Sequence, residues 1–573
     1  MKKEKRVPWA FLEAYRGKEF FGEWPTIPEM FKITASRFPT RACFTDFNPE
    51  KQTLTYSQVL ANVEKLAIWM GQQGIQKGDK IAVSGKNSPE WATVFLATLF
   101  AGGIIVPIDY GLHEKEVENL LRASDAKMLF VDEEKMPHFM EKGTVPLFSL
   151  SQKYADTYVY SLQAEGSLSS EMPTELDIAA ILFTSGTTGN PKGVMLSHKN
   201  FVSDCYIAQT NLTISETDVF YALLPIHHSY TMQAVFIESL SVGAEIVFAK
   251  SMAVSRMLKE LKEGKITMLL GVPLLFNKLL AGILKGIKDK GILVYGLIKA
   301  LMGLSFAIKK VFRINPGKIL FKSVLEKASI SSLRIAICGG GPLAPSVFRT
   351  YNEMGIDFIQ GYGLTETSPI IALNPKEKFK IDSVGRYFAP YMEMKIADPD
   401  ENGVGEVLVK GPMVMVGYYN MPEETAAVFT DDGWFKTGDL GRLDKENYLY
   451  LAGRAKNMIV TEGGKNVFPE EIENAFQLFT DIDQITVQGY IMDEATKSEG
   501  IEALIYPSDD LFKRLNVMRN TPEAVDPVQS AISEIVEKVN KNQASYAKIS
   551  KITILEEALE MTTTKKVKRN YNK

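Results

Sequence analysis

"KIAVSGKNSPEWATVFLATLFAGGIIVPID", residues Lys80 to Asp109, holds the alternation that decides the fold. "KIAVSG" reads as a short buried strand, and "PEWATVFLATLFAGGIIVPID" as a helix followed by a second strand. Just upstream, "TYSQVLANVEKLAIWMGQQGI" (Thr55 to Ile75) has a helical period, with Val59, Val63, Leu66 and Met70 on one side. Downstream, "EIVFA" and "LRIAICGG" look like further strands ending in small residues. Strand and helix taking turns predict an α/β architecture with largely parallel sheets flanked by helices. After about Pro375 the texture is β-rich with turns, as in "GEVLVKGPMVMVGYY" and "GWFKTGDLGRLDKENYLYLAGR". From about Arg454 it becomes Lys- and Glu-rich and mixed α+β, which puts a domain junction near Ala455.

The 573 residues exceed one ordinary core, so two or more domains are expected. Apolar residues at 45% and charged residues at 23% fit a soluble globular protein. A net charge of −4 gives no basic excess for nucleic acid. Cys43, Cys205 and Cys338 are too dispersed for a disulfide framework or a metal pair, which fits a reducing, cytoplasmic setting. The N-terminus starts basic but lacks a long apolar run, so it is read as an ordinary extension and not a signal peptide.

"ILFTSGTTGNPKGVMLSH" (Ile181 to His198) packs Gly, Ser and Thr between apolar ends, with one lysine. Gly186 and Gly189 permit backbone conformations closed to other residues. Thr184, Ser185, Thr187 and Thr188 offer hydroxyls, the turn's N–H groups suit an anion nest, and Lys192 adds a positive charge. A polyphosphate would fit; so would a plain hydrophilic hairpin with Lys192 solvated. The Walker pattern is not met, because Pro191 precedes Lys192 and Gly193 follows it. "GYGLTETSP" (Gly361 to Pro369) then supplies Tyr362 to stack on a base, Thr365 to bond a phosphate and Glu366 to hold Mg²⁺. "GWFKTGDLG" adds Asp439 and "LAGRAKNMI" adds Arg454.

With these motifs in this order, the chain resembles the adenylate-forming superfamily, and within it long-chain fatty acyl-CoA synthetases, over roughly Leu54 to Arg569. The resemblance implies a large N-terminal domain over 1–454, of mixed and parallel sheets flanked by helices plus a β-barrel-like subdomain. A small α+β C-terminal domain over 455–573 would move on a hinge at Lys456. It further implies that Thr184, Ser185, Gly186, Thr187, Thr188 and Lys192 wrap the ATP phosphates. Gly339, Gly340 and Gly341 of "CGGGPL" would let adenine approach the backbone, with Tyr362 stacked on it. Thr365 and Glu366 would stand at the α-phosphate and the metal, and Asp439 and Arg454 at the ribose. "LPIHHSYTM" (Leu223 to Met232) would place His228 near the acyl carboxylate, with His227 structural. In the tail "MTTTKKVKRN", Lys566 takes the place of the family's catalytic lysine, with Lys565 as the alternative. Gly463 and Gly464 would line a tunnel for CoA. The implied reaction is ATP-dependent, Mg²⁺-assisted activation of an acid as acyl-AMP, followed by transfer to CoA or to the thiol of a free acyl carrier protein. An inactive lipid-binding protein on the same fold is the alternative of another class.

Residues 281–323 are the unusual insertion: nine basic residues, one acid (Asp289) and otherwise mostly Ile, Leu, Val, Phe and Met. On one ideal helix Lys285, Lys288, Lys299, Lys310 and Arg313 would share an arc of roughly 80°. Such a stretch reads as a peripheral membrane contact, or as a helix hairpin packed on the protein with a solvated basic face.

Overall fold

Alternate residues of single strands enter different cores, and this builds the layers. In the strand Lys80–Ser84, Ile81 and Val83 join the central core while Ala82 joins an outer one. In Met268–Gly271, Met268 and Leu270 point to the central core and Leu269 to a second outer one. Strands buried on both faces must be covered on both faces, which is why parallel strands connected by helices suit these apolar runs. The computed structural model describes residues 9–48, 50–162, 164–168, 171–184, 191–249, 251–460, 465–493, 498–561 and 567.

Among the described residues one sheet has seven strands and another thirteen. The helix Pro89–Phe100 lies in the core they share, and every residue of it but Glu90 is buried. It is apolar all round because both sides are interior. Ser88 caps it by accepting from the Trp91 N–H at 3.1 Å, with Pro89 in the first turn. Tyr56–Gln72 buries its Val59, Val63, Leu66 and Met70 stripe together with Tyr56 and Ala67, and leaves its other side towards water. The architecture is α/β, with mixed sheets flanked by helices, as the sequence predicts.

The larger sheet changes character along its length. From Ala42–Phe47 across to Asp357–Gly363 its strands run parallel; beyond, Ile370–Leu373, Gly385–Tyr387, Tyr448–Arg454, Phe435–Leu443, Gly405–Lys410 and Glu393–Ala397 pair antiparallel. The β-rich texture after Pro375 is this extension. A separate core gathers residues between Ile459 and Ile549 around the three-stranded sheet Ile482–Asp493, Ser498–Pro507 and Lys551–Ile554.

The insertion does not form one continuous helix. Pro273–Lys288 ends before Gly291, whose φ of +105° suits glycine, and a second helix runs Ile292–Phe312. The expected single arc of lysines is therefore broken at Asp289–Gly291. Lys309 also departs from a solvated basic face. It turns inward and donates to Asp357 Oδ1 and Asn352 Oδ1, each at 2.8 Å. Burial lowers its pKa, and Asp357 opposes that shift.

Candidate active site

Neighbouring parallel strands end side by side, and the candidate residues follow their carboxyl ends. Val219–Ala222, Met268–Gly271, Ile335–Cys338 and Asp357–Gly363 are adjacent in that order. His228 follows the first, and Gly339, Gly340 and Gly341 follow the third. Tyr362 closes the fourth, with Thr365 and Glu366 in the turn beyond it. In open α/β sheets this rim is where ligands bind.

The turn depends on a close approach. A Cβ on Gly363 would lie 1.7 Å from the Pro369 carbonyl oxygen, so only glycine lets the chain fold back there. Folded back, Thr365 Oγ1 lies 2.9 Å from Ser229 Oγ, in the segment that carries His228. The Tyr362 hydroxyl donates to Asp439 Oδ2 at 2.6 Å, and Arg454 Nε forms an ion pair with Asp439 Oδ1 at 3.0 Å. Asp439 and Arg454 are direct partners across an antiparallel pair, which explains how residues fifteen apart in sequence meet. Asp439 is buried. Burial and the Asp439 charge push the Tyr362 phenol well above its usual range. Burial disfavours the Arg454 charge, but Asp439, Tyr362 and Glu366 outweigh it and raise its pKa.

Glu366 is tied to the hairpin through Tyr418, which the sequence reading did not single out. The Tyr418 hydroxyl donates to Glu366 Oε1 at 3.0 Å, and Lys192 Nζ stands 4.8 Å from the centre of the Tyr418 ring. Burial and Glu366 together raise the Tyr418 pKa. Gly417–Tyr418 pairs antiparallel with Met195 and Val194 of the strand Lys192–Ser197, which fixes the ring beside Lys192. Thr184 opposes Lys192 in register across the hairpin. The signal in the sequence was the aromatic pair of "VGYY", which looks like ordinary strand texture until the pairing is known. Ser229 was missed for a similar reason, since only the fold brings it to Thr365.

Gly339 faces Tyr230: a Cβ there would meet the ring at 3.0 Å, and the Tyr230 hydroxyl donates to the Ile337 carbonyl at 3.1 Å. Gly340 has a φ of +75°. The two histidines diverge. His227 Nε2 lies 3.5 Å from Asp109 Oδ1, with its ring edge-on to Tyr110. His228 Nδ1 accepts from the Tyr230 N–H at 3.3 Å, which leaves its proton on Nε2 in the neutral form. Lys456 is exposed in the short turn Ala455–Asn457, where Asn457 donates to the Glu470 carboxylate. Gln477 bridges from the C-terminal core to the segment after the three glycines. It accepts from the Ala344 N–H at 2.9 Å and donates to the Pro342 carbonyl at 2.8 Å. Ser185, Gly186, Thr187, Thr188, Gly463, Gly464, Lys565 and Lys566 lie outside the described residues.

The donor set suits a hard divalent cation held mainly by a ligand's phosphates. Mg²⁺ commonly takes one or two carboxylates plus phosphate oxygens, and Glu366 supplies a carboxylate oriented by Tyr418. Among the described residues no group of three or more His, Cys, Asp or Glu side chains forms an all-protein cage.

The profile of the family described as "AMP-binding enzyme" matches residues 31–419. A feruloyl-CoA synthase of an Amycolatopsis species is 27% identical over 468 residues, covering 80% of this chain and 84% of that one. A long-chain-fatty-acid–CoA ligase of Bacillus subtilis is 28% identical over 525 residues, covering 84% and 85%. The fold matches the solved structure of the O-succinylbenzoate coenzyme A synthetase of Bacillus subtilis in complex with ATP and magnesium ion. Its TM-score is 0.71 and its identity 24%, with 94% of this chain and 98% of that one covered.

Proposed function

The chain belongs to the AMP-binding enzyme family, and on that premise we propose that it is an AMP-forming ligase joining a long-chain fatty acid to CoA. The observation that carries the reading is the interlocked set Tyr362, Asp439, Arg454 and Glu366, gathered at the carboxyl rim of the parallel strands. A carboxylate oxygen attacks the α-phosphorus of ATP, and the bond to the bridging oxygen breaks to release pyrophosphate. The CoA sulfur then attacks the acyl carbonyl, AMP leaves, and the thiol proton passes to solvent.

In this reading the hairpin end with Thr184 and Lys192 holds the phosphates, together with Ser185, Gly186, Thr187 and Thr188. Tyr362 stacks on adenine above Gly339, Gly340 and Gly341, while Asp439 and Arg454 fix the ribose. His228, with its proton on Nε2, donates towards the acid's carboxylate, and Thr365 meets the α-phosphate. Glu366 would hold Mg²⁺, which when bound neutralises phosphate charge. Two anions must meet at phosphorus, so Lys566 brings a further cation to the transition state. A hinge at Lys456 separates an N-terminal domain, 1–454, from a mobile C-terminal one, 455–573, that first presents Lys566 and then the tunnel glycines Gly463 and Gly464.

A long acyl substrate is favoured by the apolar insertion and by the similarity to the Bacillus subtilis long-chain ligase. The comparable similarity to a feruloyl-CoA synthase makes an aromatic acid the competing substrate. ATP–pyrophosphate exchange with butyrate, octanoate, palmitate and ferulate separates them, followed by thioester formation on CoA or on acyl carrier protein. The expected result is exchange that depends on palmitate, and AMP release completed by CoA. Exchange with ferulate alone overturns the substrate; exchange with no acid, and no heat of ATP binding, overturns the ligase.

A further inference from the structure

The helix Ile292–Phe312 is apolar on two opposite faces, and only one of them meets the protein. Met302, Ser305, Phe306 and Lys309 are buried, with Tyr295 and Ile298 half-buried against the same core. On the other face Leu293, Leu297, Leu304 and Val311 recur at i, i+4, i+11 and i+18 and are 86%, 63%, 55% and 70% exposed. Beyond the helix, Ile319 is 82% exposed. Of the twenty-three exposed large apolar side chains among the described residues, ten fall between Ile292 and Leu320. So dense a cluster marks a contact surface, since isolated exposed apolar residues would be scattered.

The rim of this patch is positive. Lys285, Lys288, Lys290, Lys310, Arg313 and Lys322 are exposed, and Asp289 is the only acid in 281–323. A second copy of the chain docking through the same face would bring two basic rims together, because a two-fold contact pairs a patch with itself. Charge complementarity instead selects an anionic surface, and the apolar stripe selects one with a hydrocarbon interior.

Among the described residues this is the one helix long and apolar enough to cross a membrane, with 21 residues and a mean hydropathy of 1.7 over its most apolar 18. Its attachment argues against crossing. Lys309 is bound to Asp357 and Asn352 at 2.8 Å, and spanning would carry that ammonium away from its partners into hydrocarbon. The following turn is locked as well. A Cβ on Gly317 would lie 2.7 Å from the Gly355 backbone nitrogen, so backbone packs on backbone there. The helix is held along the protein surface with its free side outward.

We infer that the outward face of Ile292–Phe312, continued by Ile319, docks flat on an anionic lipid bilayer, with leucines in the acyl region and the lysine rim at the phosphates. The inference stands whichever acid the site activates.

The test uses the full chain and sedimentation with vesicles of phosphatidylcholine alone or mixed with phosphatidylglycerol. Wild type is expected to bind the mixed vesicles, and about tenfold more weakly when the anionic lipid is omitted or the salt is raised. Leu297→Glu with Leu304→Glu should lose at least about tenfold on the mixed vesicles. Lys310→Glu with Arg313→Glu should lower binding to the anionic vesicles and weaken its salt dependence. Binding unchanged by the leucine pair overturns the inference; so does a wild type that ignores both vesicles, or one that forms a dimer dissolved by the leucine substitutions. Independently, Leu304→Cys gives an exposed labelling site, since Cys43, Cys205 and Cys338 are all buried. An environment-sensitive fluorophore there should shift to the blue on mixed vesicles, and an unshifted spectrum overturns the inference even where a charged variant misfolds.

Discussion

The Asp439 cluster and the Ile292–Phe312 helix break the same rule in opposite directions. At Asp439 a buried carboxylate is interlocked with a half-buried phenol and a half-exposed guanidinium, joined at 2.6 and 3.0 Å. On the helix, leucines are left in water with nothing of the protein over them. Burying charge is costly unless it is paired, and exposing a contiguous apolar stripe forgoes roughly 25 cal/mol for each Å² left uncovered. On the proposals above, a polar ligand would change the balance in the first place and an apolar one in the second. That contrast can be broken or sharpened from either end.

The largest effect is expected from Asp439→Ala. It leaves the Tyr362 hydroxyl and the half-exposed Arg454 guanidinium without their shared acceptor, two contacts to a charged group that together are worth about 3–4 kcal/mol. If that loss falls on nucleotide binding and activation, acid-dependent pyrophosphate exchange drops by about 10³-fold. A variant that retains exchange within a factor of about ten would show that the cluster serves the sheet and not the nucleotide.

Lys309→Ala comes next and acts on the buried side of the apolar helix. Asp357 and Asn352 lose their shared donor, for about 3 kcal/mol. The apparent Tm should fall, and limited proteolysis should cut first around 289–317. A Tm equal to wild type would mean that the helix is not held by this pair, which removes the argument for a flat, fixed orientation.

How far these two regions could be read from sequence differs, and the difference is physical. Strand and helix periods depend on local spacing, so the α/β rhythm of Lys80–Asp109 and the buried stripe of Tyr56–Gln72 were legible. Tyr362, Thr365 and Glu366 were legible because one short stretch carries them together. Tyr418 and Ser229 were not, because sheet pairing brings Tyr418 to Glu366 across 52 residues and Ser229 to Thr365 across 136. The insertion was legible in composition and not in geometry. A helical wheel cannot know that Gly291 breaks the helix or that Lys309 finds Asp357. Strongly apolar stretches can bury either face, and only tertiary packing chooses.

A third test uses a polar group that the core holds without an interlocking partner set. Glu238 is 2% exposed, at the start of the helix Glu238–Val242 that continues from the segment bearing His228. Burial pushes its carboxyl up to about 8, well above the usual carboxylate range. A carboxyl whose folded pKa is raised binds its proton more tightly in the native state. Its contribution to stability is whole below about pH 4.5 and is lost as the pH rises through about 8. Asp204, raised by burial in the same core and further by the Glu238 charge, acts in the same direction. The apparent Tm of wild type should therefore fall between about pH 5 and pH 8 by the equivalent of roughly 3 kcal/mol, and Glu238→Gln should reduce that slope while leaving the part due to Asp204. Equal slopes in the two proteins would mean that Glu238 is solvated or paired in solution.

The smallest effect sharpens the comparison most. Leu297→Ser with Leu304→Ser replaces side chains that are 63% and 55% exposed on the outward face. Neither residue packs in the core that takes Met302 on the same helix, so no cavity forms and no hydrogen bond is lost. Substitutions of that kind stay within about 0.5 kcal/mol each. Thermal denaturation in the absence of lipid should place the double variant with wild type, while Asp439→Ala and Lys309→Ala fall away from it. If the serine pair instead lowers the apparent Tm as much as Lys309→Ala does, the outward leucines are covered by protein in solution, and the helix is an interior element whose apolar second face has found a protein partner.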